Sequence, residues 1–422
     1  MLKRSFSPEA NPYFIWFLGA LFFLVDYVIR VSPSVLTPEL MRTFHVNAFA
    51  VGLFSGYFYY AYISMQIPVG MLVDRFGPKR LLVISILVCA LSTLVFSNTH
   101  SIAIAYFSRI LMGLGAAFAF VGTLKLISLY FAAERFALLA GITQAMGMLG
   151  AMIGQGPMGV LYHSVGWRES MHGFSFFFVL LCAFVLIFMK NKKQLSDHET
   201  DMHDALVLKI LPALSAVLKN KQSWLNCLFV GLLYAPSACF GEQWGASFLS
   251  ANQHILISNA GHETGFMFIG LAIGCPVLGW FSDYLKKRVI VMRVSTIFCL
   301  FFLTTVIYGN FSPLYSTIFL FIYGFFNGGI VVSYSMASEI NSRRFTGMAL
   351  GIANMSSVMI GALMIPVVGW ILDHFWNGQM LNGIHYFSPG IYKIAFLALP
   401  VVFIIAFVIT FYQKETNCQR VQ

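Results

Sequence analysis

Residues 70–80 read Gly-Met-Leu-Val-Asp-Arg-Phe-Gly-Pro-Lys-Arg and form a short charged stretch between two long apolar segments. The two glycines permit a close approach and a sharp turn. The aspartate can accept charge-assisted hydrogen bonds from the neighbouring basic residues or meet the positive N-terminus of another helix. Such a cluster is able to latch two parts of a protein in one conformation and release them in another. The alternative is that its basic residues only set the topology of a membrane protein.

The composition around this stretch excludes a water-soluble enzyme. Of 422 residues, 59% are hydrophobic and 10% are charged, whereas roughly 25% are charged in an ordinary soluble domain. The mean hydropathy is +0.79. So few charged residues cannot cover a soluble protein of this length, so lipid must surround most of its surface. The net charge of +10 does not indicate nucleic-acid binding, because no polar domain carries a basic patch.

Twelve segments approach the roughly 20 apolar residues that a membrane span requires. Their approximate limits are 13–35, 49–69, 81–98, 102–125, 138–162, 172–189, 223–249, 263–282, 290–309, 314–337, 347–371 and 392–412. The segments are continuous and lack the alternating pattern of an outer-membrane barrel, so helices are the expected spanning structure. The predicted fold is therefore an all-α membrane protein with twelve transmembrane helices.

Basic residues favour one side of this arrangement. Twenty of the 26 Lys and Arg residues fall in segments on the same side as the N-terminus, and three fall in the opposite loops. Positive charge marks the cytoplasmic side of membrane proteins. We therefore expect both termini of this multi-pass membrane protein in the cytoplasm. The remaining three basic residues, Arg30, Arg109 and Lys125, lie within spans.

One long polar interruption divides the twelve spans into six and six. The predicted organisation is an N-terminal bundle at 1–189, a cytoplasmic linker with an interfacial helix at 190–222, and a C-terminal bundle at 223–422. A shift of 209 residues aligns Gly70-x-x-x-Asp74 with Gly279-x-x-x-Asp283, and Pro157 with Pro366. Two homologous halves with a midplane site between them are typical of transporters.

These motifs carry a resemblance to a known family. Residues 70–80 fill every fixed position of the signature loop of the major facilitator superfamily, and the likeness covers the whole chain. Three further motifs resemble those of the superfamily: Arg109-x-x-x-Gly113, Glu134-Arg135 and Gly154-Gln-Gly156-Pro157-Met-Gly159. The resemblance implies two homologous six-helix bundles and secondary active transport. The predicted conformational latch comprises Gly70, Asp74, Arg75, Gly77, Lys79 and Arg80, with Asp283 in the second half.

A likeness at the level of a branch suggests the solute. The proteobacterial intraphagosomal amino-acid transporters are similar at Tyr59-Tyr60-Ala61-Tyr62 with Met65-Gln66-Ile67-Pro68, at Val31-Ser32-Pro33-Ser34 and at Gly241-Glu242-Gln243-Trp244-Gly245. Arg30 also resembles the span-one arginine of symporters for organic anions, but Gly115-Ala116-Ala117 replaces the span-four glutamate of that family. The resemblance thus favours proton-coupled amino-acid uptake. Organic-anion symport and drug or siderophore export remain the alternatives.

Charged residues within spans are the candidate site, because each costs about 2.5–3.5 kcal/mol at a helix centre without a partner. Asp26 and Arg30 are one helical turn apart and can share a face. We predict that Arg30 binds a substrate carboxylate and that Asp26 carries the coupled proton. The alternative is a purely structural ion pair. Glu242, in the second half, is a candidate to bind a substrate ammonium or a proton.

Two further residues complete the prediction. The resemblance places spans one and four beside the cavity, so Arg109 is expected near Asp26 and assigned to proton coupling. Lys125 is a further substrate-binding candidate, and its alternative is a side chain that only reaches the membrane surface. We find no catalytic or metal-binding motif, so we expect no enzyme activity and no cofactor, with the proton gradient as the driving force. The expected partners of this monomer are a small-molecule solute and the lipid bilayer.

Overall fold

The computed structural model describes residues 11–131, 133–189, 215, 217, 219–342, 346–381 and 383–419. Within these ranges the chain is almost entirely helical, with short loops. The predicted interfacial helix of the 190–222 linker lies largely outside the described residues. We call spans one to six the first half and spans seven to twelve the second half.

The first half contains seven helices, because span one is broken at Ser32. Their bounds are Pro12–Val31 and Pro33–Phe44 for span one, Ala48–Phe76 for span two, Pro78–Asn98 for span three, Ile102–Tyr130 for span four, Ala133–Val165 for span five, and Trp167–Phe188 for span six. Span two extends beyond its apolar segment because hydropathy marks only the part in lipid, and the helix continues through the charged residues until Gly77.

The second half is more irregular. Its bounds are Lys221–Pro236, a π-helix at Ser237–Trp244 and Gly245–Gln253 for span seven, Ile257–Leu285 for span eight, Arg288–Tyr308 for span nine, Pro313–Asn327 and Ile330–Glu339 for span ten, Thr346–His374 for span eleven, and Pro389–Ala395 and Ala398–Ile409 for span twelve. A two-stranded antiparallel hairpin, Met380–Leu381 with Ile384–His385, precedes span twelve. The sequence did not predict this hairpin, because two-residue strands have no detectable periodicity.

The predicted fold class is confirmed. Eleven of the spans in the described residues are long and apolar enough to cross a membrane. The other span, Ala48–Phe76, is also 29 residues long. It contains four tyrosines, which make it less apolar than the other spans. The protein is therefore a multi-pass helical membrane protein.

The backbone repeats at the same shift of 209 residues as the sequence. His45 and His254 occupy left-handed positions after spans one and seven, with φ values of 53° and 56° and ψ values of 48° and 40°. Gly77 and Lys286, which follow spans two and eight, also have positive φ values of 79° and 52°, but their ψ values of 150° and 35° differ. The matching turns at the two histidines lie outside the aligned motifs, so they support the duplication independently.

Two helix pairs form the most extensive contacts between the halves in the described residues: spans two and eleven, and spans five and eight. We call the end near residues 70–80 the signature-loop side and the opposite end the far side. On the far side, a Cβ at Gly52 would lie 2.9 Å from the backbone of span eleven, and one at Gly369 would lie 2.6 Å from the Ala48 carbonyl oxygen. Gly70 and Gly351, near the other ends of the same helices, have open space in the Cβ direction. The spans are therefore packed most tightly on the far side.

Candidate functional site

Arg30 lies in the last turn of the first helix of span one, and only 3% of its surface is exposed. Its Nη2 donates a hydrogen bond to Asp26 Oδ2 at 3.0 Å. The guanidinium carbon lies 4.1 Å from the centre of the Tyr27 ring and 4.6 Å from that of Tyr62. Among the described residues, Arg30 Nε has no hydrogen-bond partner. Arg30 is thus held by a carboxylate and aromatic rings and keeps a free donor.

Glu242 approaches this arginine from the second half. Its side chain is buried, and its Oε1 accepts a hydrogen bond of 2.7 Å from the Tyr234 hydroxyl. Its Oε2 has no partner within the described part of the chain. Glu242 and Arg30 form no ion pair in the described residues, but they are close enough for their charges to interact across the two halves. The two halves therefore bring an unused donor and an unused acceptor to the same buried region.

The π-helix of span seven positions Glu242. π-Helical turns are rare and are frequent at functional sites. The carbonyl oxygen of Gly241 accepts a hydrogen bond from Gln155 Nε2 of span five at 2.6 Å. On the other side of Glu242, Gln243 Oε1 accepts a hydrogen bond from the Ser55 hydroxyl of span two. Glu242 therefore lies between two residues that are hydrogen-bonded to the first half.

Arg109 stabilises the break in span one. Pro33 has no N–H group, so the Ile29 carbonyl loses its normal helical donor. The Ser32 hydroxyl at 2.8 Å and Arg109 Nη1 at 3.2 Å donate to that carbonyl instead. Arg109 Nε also donates to the Phe54 carbonyl at 2.9 Å, which ties span four to span two. Its assigned role in proton coupling stays a prediction.

Lys125 is the predicted site residue that the structure places elsewhere. It lies sixteen residues beyond Arg109 on the helix of span four, a separation of roughly 24 Å at 1.5 Å per residue. Its side chain is partly buried. The structure does not bring it together with Arg30 and Glu242, and its role in substrate binding stays a prediction.

The signature loop has the turn that its sequence predicts. Gly77 ends span two with a φ of 79°. Lys79 Nζ donates to a backbone carbonyl of span six at 2.9 Å, and the Arg75 guanidinium lies over the ring of the next residue. Arg80 is exposed. The side chain of Asp74 lies outside the described residues, so its function as a latch stays a prediction.

The equivalent loop of the second half forms a denser ion cluster. Arg288 Nη1 contacts Asp283 at 2.6 Å, and its Nη2 contacts Glu339 at 2.7 Å. The Arg288 backbone N–H also donates to Glu415 at 2.6 Å. The sequence predicted the position of Asp283 beside basic residues. It did not predict Glu339 and Glu415, because they come from distant segments.

Sequence reasoning missed several residues of this region. Tyr27 had a usable signal, since it adjoins Asp26 and is three residues from Arg30 on the same helix. Tyr234 had none. Gln155 and Gln243 lie within the motifs quoted at 154–159 and 241–245, but nothing in those motifs indicated which groups they contact. Their contacts depend on the π-helix and on packing between the halves, and neither leaves a periodic pattern in the sequence.

A helical protein with two six-span halves and buried ionisable residues between them has the architecture of a membrane transporter. Residues 15–332 match the model of the Major Facilitator Superfamily, and the chain belongs to that family. It is a secondary transporter and not an enzyme.

Individual relatives are distant. The uncharacterized transporter YybO of Bacillus subtilis is 23% identical, over 85% of this chain and 87% of that protein. The probable galactarate/D-glucarate transporter GudP of Escherichia coli is 24% identical, over 88% and 90%. The fold is similar to that of a bacterial homologue of the human lysosomal transporter Spinster in an inward-facing, unoccupied conformation. That structure has a TM-score of 0.79 and 14% identity, and the match covers 96% of this chain and 98% of that one.

Proposed function

We propose that the protein is a proton-coupled importer of a small zwitterion, such as an amino acid, which binds between Arg30 and Glu242. The observation that carries this proposal is a pair of buried polar atoms, Arg30 Nε in the first half and Glu242 Oε2 in the second, that have no hydrogen-bond partner in the described part of the chain. A carboxylate can accept from the arginine, and an ammonium group can donate to the glutamate. Closure around such a solute joins the halves, as alternating access requires.

The charge of the site suits a solute without net charge. Asp26 and Glu242 are acidic, whereas Arg30 and Arg109 are basic, so their formal charges cancel. A zwitterion adds no net charge to this set, so the solute itself brings no uncompensated charge into the buried site. No cofactor is needed in this scheme, because a proton that moves through Asp26 supplies the driving force.

We also propose an orientation. The positive-inside count places the signature-loop side and both termini in the cytoplasm of a bacterial cell. The far side then faces outward, and the tight far-side packing of spans two and eleven corresponds to an inward-facing state. The bundles at 1–189 and 223–422 are the two bodies that move, with residues 190–222 as their linker.

The orientation predicts the result of cysteine labelling in whole cells. Ser196→Cys, in the linker, should resist an impermeant maleimide added from outside. Asn310→Cys, in the exposed far-side loop between spans nine and ten, should be labelled and serves as the matched control. The unsubstituted chain gives the background from its own cysteines. Labelling of Ser196→Cys and protection of Asn310→Cys in intact cells would reverse the proposed orientation.

Import of an organic anion is the second candidate. It is favoured by the likeness to the probable galactarate/D-glucarate transporter of Escherichia coli. A proton on Asp26 would leave the site with one net positive charge, which suits a monoanion that enters together with that proton. In this scheme the solute carboxylate still binds Arg30, but Glu242 has no ammonium group to contact.

Glu242→Gln separates the two candidates. For a zwitterion, we expect the Kd to rise about 10- to 100-fold, because a hydrogen bond to a charged group contributes roughly 1.5–3 kcal/mol. For an anion, we expect no loss of affinity. The measurement is calorimetric binding to purified protein, after a thermal-shift screen of amino acids and organic acids.

Glu263→Gln is the matched control for this substitution. Glu263 is also a buried second-half carboxylate with one unpartnered oxygen among the described residues, but it is bonded to Gln253. Its replacement should leave solute affinity within about twofold. Unchanged amino-acid binding by Glu242→Gln would exclude the zwitterion site.

A further inference from the structure

Asp373 lies in the last turn of span eleven and bonds to the first turn of span two, in the opposite half. Its Oδ1 accepts the Ala48 N–H at 3.0 Å, and its Oδ2 accepts the Phe49 N–H at 2.7 Å. The side chain is 15% exposed. The contact is close because Gly369, one turn earlier, allows the backbones of the two helices to approach.

The first N–H groups of a helix have no partner within it, and together they carry a partial positive charge. At the far-side end of span two, side chains accept hydrogen bonds from these N–H groups. Asn47 Oδ1 accepts the Ala50 N–H at 3.1 Å, as an ordinary N-cap. Asp373 takes the two preceding N–H groups. The N-terminus of a first-half helix is therefore capped in part by a carboxylate of the second half.

Such a cap can exist only while the far side is closed. Spans two and eleven run in opposite directions, so each begins where the other ends. When the far side opens, the end of span eleven moves away from the start of span two. Both N–H groups must then find water, and of its side-chain contacts in the described residues Asp373 keeps only the one within the second half, where Oδ1 lies 3.6 Å from His385 Nδ1. The free energy of these bonds thus enters the equilibrium between the two states.

We propose that Asp373 is a far-side latch that holds the inward-facing state by capping span two. It mirrors the role predicted for Asp74, which lies in the last turn of span two, at the other end of the same helix pair. The 209-residue repeat does not relate the two, because it aligns Asp74 with Asp283. The far-side latch therefore follows from the antiparallel pairing of spans two and eleven and not from the duplicated motif.

The test is a reporter of far-side opening that needs no solute. Val35 is 4% exposed, and a Cβ at Gly261 of span eight would lie 2.8 Å from its Cγ1. Val35→Cys is therefore shielded while the halves are packed on this side, and it becomes reactive when they separate. Its maleimide labelling rate is measured in purified protein in lipid nanodiscs, against the chain without the reporter.

Asp373→Asn should raise the labelling rate about fivefold, which corresponds to ~1 kcal/mol in the equilibrium between states. Ala48→Pro tests the same bond from the other half. Proline is favoured at the first position of a helix and lacks the N–H, and the extended Asn47 backbone suits a following proline. It should raise the rate by a smaller factor, because one of two bonds is lost.

Glu39→Gln is the matched control, since Glu39 is an exposed far-side carboxylate that pairs only with Arg42 among the described residues. Its labelling rate should stay within about twofold of the parent. The latch is excluded if Ala48→Pro leaves the labelling rate unchanged, whether or not Asp373→Asn folds. An effect seen only with Asp373→Asn would then arise from contacts within the second half. This proposal rests on the proposed alternation between two states. It does not depend on the solute being a zwitterion.

Discussion

Replacing Arg30 with alanine should abolish solute binding at accessible concentrations. Arg30 is buried, its Nη2 binds Asp26, and its Nε has no hydrogen-bond partner among the described residues. Truncation of one member of a buried, hydrogen-bonded charge pair costs about 2–5 kcal/mol or more, and 1.4 kcal/mol is a tenfold change in affinity. We therefore expect at least a 30-fold rise in Kd, measured by calorimetry on purified protein.

Two variants separate this effect from misfolding. Arg30→Lys keeps the charge but loses the planar fork that binds a carboxylate with two hydrogen bonds, so binding should be impaired while the protein stays folded. Arg42→Ala removes another span-one arginine, which forms an exposed ion pair with Glu39, and should bind normally. A folded Arg30→Ala protein with unchanged affinity would show that the solute site lies elsewhere.

The second large effect concerns energy coupling. Asp26→Asn should retain solute binding and exchange but lose accumulation against a concentration gradient. Asparagine keeps the shape of the side chain, yet it cannot release and rebind a proton as the halves alternate. Uptake into proteoliposomes with an imposed pH gradient measures accumulation, and counterflow without a gradient measures exchange.

The comparison of accumulation with counterflow is the diagnostic result. Accumulation should fall to the level reached without a pH gradient, whereas counterflow should stay within a few fold of the parent. Asp26 is 3% exposed and forms a 3.0 Å salt bridge to Arg30. Glu39→Gln is the control, because it removes an exposed carboxylate from the same span. Normal uphill accumulation by Asp26→Asn would assign the ion pair to structure and the proton to another group.

The sequence predicted part of this site because that part lies on one helix. Asp26 and Arg30 are four residues apart, and the 3.6-residue repeat of a helix brings them together wherever the helix lies. The Gly77 turn is likewise local, since a positive φ favours glycine. Arg109 was predicted near Asp26 only through the family resemblance. Its bond to the Ile29 carbonyl follows from the missing N–H of Pro33, a residue that is visible in the sequence.

The sequence by itself determined that lipid surrounds the protein, how many spans it has and that its two halves are duplicated. Hydropathy, charge and repeats can all be read from the order of residues along the chain. Only the tertiary structure decided which polar groups meet across the halves. Glu242 depends on a π-helical turn and on Tyr234. The cap of Asp373 on Ala48 joins residues 325 positions apart. Contacts of this kind depend on the relative position of two helices that are not neighbours in sequence. That position is set by side-chain packing over their whole length, and no local pattern records it.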